Sequence, residues 1–272
     1  MEQTHELRSA EDAGRRAVEI NRRDPWAHHA VAHVLETEGR IDEGVAWMED
    51  LSDTWVGCNS FMLGHNWWHT ALFHLDFGDA RRARQIHDQF VWGLDKTYSQ
   101  DQANSASLLW RMELRGIDVG NRWADLVDHV QCRTREHVQP FLDLYYLYAL
   151  ARAGRDAKAD EMLASMAEHA AKAPTLVRPA WAAVAVPAAR GLLAHARGDY
   201  EGAYGDLATA TPHLQKIGGS HAQRDLFVQT WLDTLLRTNR GGEAVAMLEA
   251  RAKARPNVPY GFGLLERAQA QA

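Results

Sequence analysis

Two short phrases place histidines where they could act together. In DPWAHHAVAHVLE, His29 and His33 are four residues apart, so on a helix they share one face, with Glu36 three residues further along it. In CNSFMLGHNWWHTALFHLD, His65 and His69 repeat the spacing, and His74 ends the stripe beside Asp76. Two such pairs brought face to face could supply three or four imidazoles and a carboxylate to one transition metal: zinc, iron or manganese. A polar pocket is the competing reading, with a histidine binding a ligand or moving a proton near neutral pH. Packing is the third, because His29, His33 and His74 align with inter-helix positions usually filled by Leu or Tyr. No HExxH signature accompanies the pairs.

A third phrase, KIGGSHAQRDLF, places Gly218 and Gly219 before Ser220, His221, Arg224 and Asp225. Ser220 reads as a helix start, whose N-terminus with Arg224 nearby would suit a carboxylate or phosphate; a structural loop with an Arg–Asp pair is the alternative. Trp67 and Trp68 are adjacent and must point to different faces. Trp26 and Trp67 are expected to fill gaps between helix pairs, and Trp68 to line a groove as a stacking platform. In FLDLYYLYAL, Asp143 and Tyr146 are the polar candidates for an inner face. Asn59 reads as an N-cap, and Cys58 as a nucleophile only if a histidine lowers its pKa.

These phrases sit on a repeating background. Helical run, glycine, charged residues and a small-residue-rich run recur at HAVAHVLETEGRIDEGVAWM, WHTALFHLDFGDARRARQIH, LYYLYALARAGRDAKADEML and ARGLLAHARGDYEGAYGDLA. Aligned on Gly39, Gly78, Gly154 and Gly198, the helix before each glycine offers a small or apolar slot, at Ala30, Ala71, Leu147 and Gly191. The helix after it offers Gly44, Ala83, Ala159 and Ala203. This is the tetratricopeptide pattern of paired helices. A degenerate unit at SASLLWRMELRGIDVGNRWADLVDH and a last one at QTWLDTLLRTNRGGEAVAMLEARAKARP bring the readable units to about six. Pro25, Pro140, Pro187 and Pro256 fall near unit boundaries. The expected fold is an all-α, right-handed α-solenoid in a single domain over residues 1–272, with no strand pattern of period two. Residues 9–21 resemble a second helix lacking its first, whose apolar stripe suggests a homodimer contact.

Composition sets the bounds. The chain has 272 residues, 46% of them hydrophobic and 24% charged, and no apolar run near the eighteen or so residues of a membrane span. Cys58 and Cys132 exclude a disulfide framework, so a reducing, cytoplasmic setting is expected. The net charge of -6 argues against nucleic acid. The basic clusters Arg81, Arg82, Arg84 and Arg251, Lys253, Arg255 are read as solvated faces.

HAVAHVLETEGR, CNSFMLGHNWWHTALFHLDFG and GGSHAQRD together resemble the tetratricopeptide repeat protein 38 family, through most of the chain and including ASLLWRMELRGIDVGNRW. The resemblance implies an α-solenoid and brings no agreed activity. Its phrases cover His29, His33, Glu36, Asn59, His65, Asn66, Trp67, Trp68, His69, His74, His221, Arg224 and Asp225; His28 is peculiar to this chain. Family members carry further helices before the position of Met1.

The expected function is binding of a small anionic ligand or peptide on a histidine- and tryptophan-rich face, by His29, Glu36, Asn66, Trp68, Tyr146, Arg224 and Asp225. The alternative is an enzyme in which His33, His65, His69 or His221 acts as general base or metal ligand. No cofactor or metal is expected, with zinc or another divalent transition metal at His29, His33, His65 and His69 as the alternative. Neither nucleic acid nor membrane is an expected partner.

Overall fold

The computed structural model describes residues 6–256 and 258–272, and among them every regular element is helical, with no strand. The elements that matter are α1 (Leu7–Ile20), α2 (Pro25–Glu38), α3 (Ile41–Leu51), α4 (Ser60–Phe77), α5 (Ala80–Ile86), α6 (Ser99–Leu114), α7 (Arg122–Val130), α8 (Pro140–Arg152), α9 (Asp156–Lys172), α10 (Arg178–Ala180), α11 (Val186–Ala196), α12 (Tyr200–Ala210), α13 (His221–Arg237), α14 (Gly241–Ala254) and α15 (Pro259–Gln269). No helix among the described residues is long and apolar enough to cross a membrane. Cys58 and Cys132 are free thiols.

The glycines of the repeated phrase punctuate the helices as expected. Gly39, Gly78, Gly154 and Gly198 have φ of 68°, 94°, 70° and 82°, the left-handed conformation that ends a helix without steric cost only at glycine. Each is followed at once by a second helix, giving the pairs α2–α3, α4–α5, α8–α9 and α11–α12. Proline starts them where its missing N–H costs nothing: Pro25 and Pro140 open α2 and α8. Ala71, Leu147, Ala83, Ala159 and Ala203 are fully buried in the slots assigned to them. In the first unit the slot belongs to Ala32, which lies seven residues before Gly39 and is fully buried, and not to half-buried Ala30.

The described residues divide into two compact units, 1–108 with 241–272, and 109–240. In the first, α1 packs against α2, with Gly14 under the Val31 side chain. The series runs on through α2–α3 and α3–α4, where the absent side chain of Gly44 makes room for the Phe73 ring of the next unit. Towards the chain's end α14 packs on α15, and α15 reaches α4. Arg255 donates to Asp76 at 2.8 Å and Arg82 to Glu49 at 2.8 Å, so these two arginines are held in ion pairs and not solvated as expected. In the second unit, α7, α8 and α11 pack in turn, α11 meets α12 through Gly191, and α13 packs on α12. Trp110 stacks on Tyr148 there, with centroids 3.4 Å apart.

Candidate metal centre

The first unit turns the two histidine pairs towards each other. Asp24 caps α2 by accepting from the Trp26 and Ala27 amides, and Asn59 caps α4 by accepting from the Met62 amide at 2.9 Å, as its sequence position predicts. Starting from those fixed ends, α2 carries His29 and His33 one turn apart, and α4 carries His65 and His69 likewise. The two helices pack against each other directly. One ring nitrogen from each of the four histidines lies within 4.8 Å of the other three.

The His29–His33 spacing suits a shared ion. The Nε2 atoms of His33 and His29 are 3.1 Å apart. Two imidazole nitrogens bound to one zinc at about 2.1 Å are separated by about 2.9 to 3.4 Å, depending on the coordination angle. Ring centroids of neighbouring histidines lie 4.5 to 5.0 Å apart, with interplanar angles from 45° to 89°.

The outer nitrogens are held. Glu36 Oε2 is 3.1 Å from His69 Nδ1, and Asn104 Oδ1 is 3.1 Å from His65 Nδ1. An imidazole that donates from Nδ1 keeps its lone pair on Nε2, so these contacts select the tautomer that ligates from Nε2. His65 is clamped further between Phe61 and Trp68, with centroids 5.1 Å away on either side. Burial first, then the neighbouring imidazoles, holds His29 well below the usual histidine range. Burial likewise takes His65 down to about 4, against the opposing hydrogen bond from Asn104. Both shifts favour the neutral ring at His29 and His65, which is the ligating form.

No protein-family model matches the chain. The assignment of the site therefore stands on its geometry. Of the residues expected to bind or react, His29, His33, His65, His69 and Glu36 come together in the first unit. Trp68 does not line a groove: it is fully buried behind His65, because the face of α4 that points away from Trp67 points into the cluster. Trp67 fills a gap as expected, stacked 4.2 Å from Phe90 and edge-on to Trp55. Trp26, expected to fill another gap, is instead 57% exposed, with its ring edge-on to His29 at 5.8 Å. Buried Asn66 donates from Nδ2 to the Pro25 carbonyl at 3.3 Å, which ties α4 to the start of α2, while its buried Oδ1 has no hydrogen-bond partner among the described residues.

His221, Arg224, Asp225 and Tyr146 belong to the second unit. Ser220 starts α13 as predicted, in a capping box with Gln223. Arg224 donates from one guanidinium nitrogen, Nη1, to the carbonyls of Gly218 and Gly219, and Asp225 accepts from Gln229 at 2.7 Å. Tyr146 is buried beneath the Arg133 guanidinium.

Three residues around the cluster were not singled out in the sequence: Asn104, Phe61 and Tyr98. The first half of α6, SQDQANSAS, is polar in sequence yet buried at Asp101, Gln102, Asn104, Ser105 and Ser107, so nothing in the sequence signals that Asn104 faces the core. Phe61 lies four residues before His65, and its stacking follows from that spacing.

A further arrangement has the form of a nucleophilic triad. His137 Nδ1 is 2.6 Å from Asp143 Oδ2, and its Nε2 is 2.7 Å from Ser165 Oγ. The pattern recurs at His87, between Asp88 and Ser105, and at His195, between Asp233 and Tyr148. Burial pushes the Asp143 carboxyl upward, against the opposing hydrogen bond and charge of His137. These histidines are cross-links between helices, each using both ring nitrogens, as His28 does between the Arg22 carbonyl and Trp55.

Proposed function

We propose that the protein is a metal-binding α-solenoid of tetratricopeptide type, akin to the tetratricopeptide repeat protein 38 family. One divalent transition-metal ion, zinc foremost, is held by His29, His33, His65 and His69. The observation that carries the proposal is the mutual approach of four imidazole nitrogens within 4.8 Å on two rigid helices. The outer-sphere contacts from Glu36 and Asn104 support it, because ligating histidines characteristically donate their other N–H to a carboxylate or carbonyl. An all-imidazole donor set suits zinc, copper, iron or nickel and disfavours calcium and magnesium. The repeated glycine-ended helix pairs support the solenoid, which sets the two histidine helices side by side.

The ion gives the histidine-rich face its role: a Lewis-acidic point for binding, and for reaction if a substrate presents a polarisable group there. A peptide clamp of the ordinary kind fits less well, because its basic anchors are replaced here by imidazoles. The second reading is a metal-free histidine core, favoured by the 3.1 Å Nε2–Nε2 contact of His29 and His33, which also fits an N–H···N hydrogen bond. Elemental analysis of untagged protein separates the two. One equivalent of metal, lost in His33→Ala and in His69→Ala with helicity retained, supports the centre; less than a tenth of an equivalent after incubation with zinc, cobalt and iron(II) and desalting rejects it.

A further inference from the structure

The charge count at the centre is incomplete. Four neutral imidazoles leave a divalent ion with its full +2 charge in a largely buried site, and Glu36, acting through His69, offsets one unit of it. A residual positive charge away from bulk water is costly unless an anion accompanies it. Four protein ligands also leave room, since zinc expands to five ligands and cobalt, nickel and iron to six.

The surroundings indicate what kind of anion. His33, His65 and His69 are buried, whereas His29 keeps partial exposure. The rings leading from solvent to His29 and His65 are aromatic. Trp26, 57% exposed, stands edge-on to His29 and 6.2 Å from Phe61. Phe61 stacks on His65, and Tyr98, 43% exposed, meets Phe61 at 6.5 Å. Exposed aromatic rings in a row beside a cationic centre are an apolar, π-faced approach with one charged terminus.

We infer that the centre takes a small organic monocarboxylate, whose carboxylate completes the metal's coordination and whose flat apolar part packs on Trp26, Phe61 and Tyr98. This rests on the proposed metal centre and adds the ligand class. No bond is made or broken in the substrate: the carboxylate oxygen displaces a solvent molecule from the ion.

Cobalt(II) loading tests it, since the visible absorption of cobalt reports a change in coordination number. The loaded protein is titrated with benzoate, acetate and the neutral isostere benzamide. Expected are a saturable spectral change with benzoate, a weaker one with acetate, and none with benzamide. Trp26→Ala, at an exposed position whose loss empties no core, should weaken benzoate by on the order of tenfold, with acetate binding and cobalt content unchanged. Cobalt bound at one equivalent with no response to either carboxylate overturns the inference and leaves the metal centre standing. Benzoate binding no tighter than acetate overturns the aromatic part. Failure to bind cobalt at all is a different result, and it removes the metal centre itself.

Discussion

Glu36 on α2 accepts a hydrogen bond from His69 on α4 across 3.1 Å, so a carboxylate from one histidine helix orients an imidazole of the other. The contact joins the two ligand pairs by a polar bond besides their packing. It also places a formal negative charge against a ligating ring.

Replacing Glu36 with Gln should lower metal affinity by about 10- to 100-fold, the usual cost of losing an outer-sphere carboxylate. Competition with a chromogenic chelator measures it. Circular dichroism should show unchanged helicity, because Glu36 is half-buried and its amide isostere fills the same volume.

Asn104→Ala removes the acceptor of His65 Nδ1 at a position 2% exposed. A buried imidazole N–H left unmatched costs about 1–3 kcal/mol. The expected result is a lower denaturation midpoint together with weaker metal binding, both read on the same preparation. A loss of stability with unaltered affinity would show that Asn104 supports the fold alone.

Acid should release the metal and loosen the first unit together. His65 titrates at about 4 in the folded chain against 6.5 when unfolded, so the unfolded state takes up its proton first as pH falls. The stability this confers is complete above 6.5 and is lost between 6.5 and about 4, on the order of 3 kcal/mol for this one group. His29 is shifted in the same direction and adds to the effect. Chemical denaturation of metal-free protein at several pH values checks the sign: a flat profile below pH 6.5 would show that the rings are not held neutral.

Gly191→Ala tests the close approach of α11 and α12. A Cβ there would meet Leu207 Cγ at 2.7 Å and the Ala203 carbonyl oxygen at 3.1 Å. Alanine gains up to about 1 kcal/mol in helix propensity, but overpacking costs about 1–3 kcal/mol and prevails because one neighbour is backbone. A Tm lowered by a few degrees, with metal content unchanged, is the expected outcome.

Much of the fold was legible because its markers are local. Gly39, Gly78, Gly154 and Gly198 need a backbone conformation that few other residues adopt, so they announce helix ends whatever surrounds them. Asn59 and Ser220 cap helices with side chains that reach only two or three residues. The histidine pairs were legible for the same reason: a spacing of four defines a face. What periodicity does not say is which face meets which neighbour. That is why Trp26 and Trp68 exchanged their expected places, and why Asn104, 39 residues beyond its partner His65, went unnoticed. The contacts of Arg224 are equally invisible in a linear reading, since they depend on how the Gly218–Gly219 turn presents its carbonyls to Nη1.

Because His29–His33 and His65–His69 each ride on a continuous helix, the centre is a matter of phase. Inserting one residue between Asn59 and His65 would rotate the second pair by about 100° about the axis of α4 and scatter the four nitrogens. The same insertion in the largely exposed turn from Val56 to Cys58 leaves both phases intact. The cluster therefore tolerates length changes between its helices and none within them, which marks the pair of helices as the smallest unit that could be moved into another scaffold with its donor set preserved.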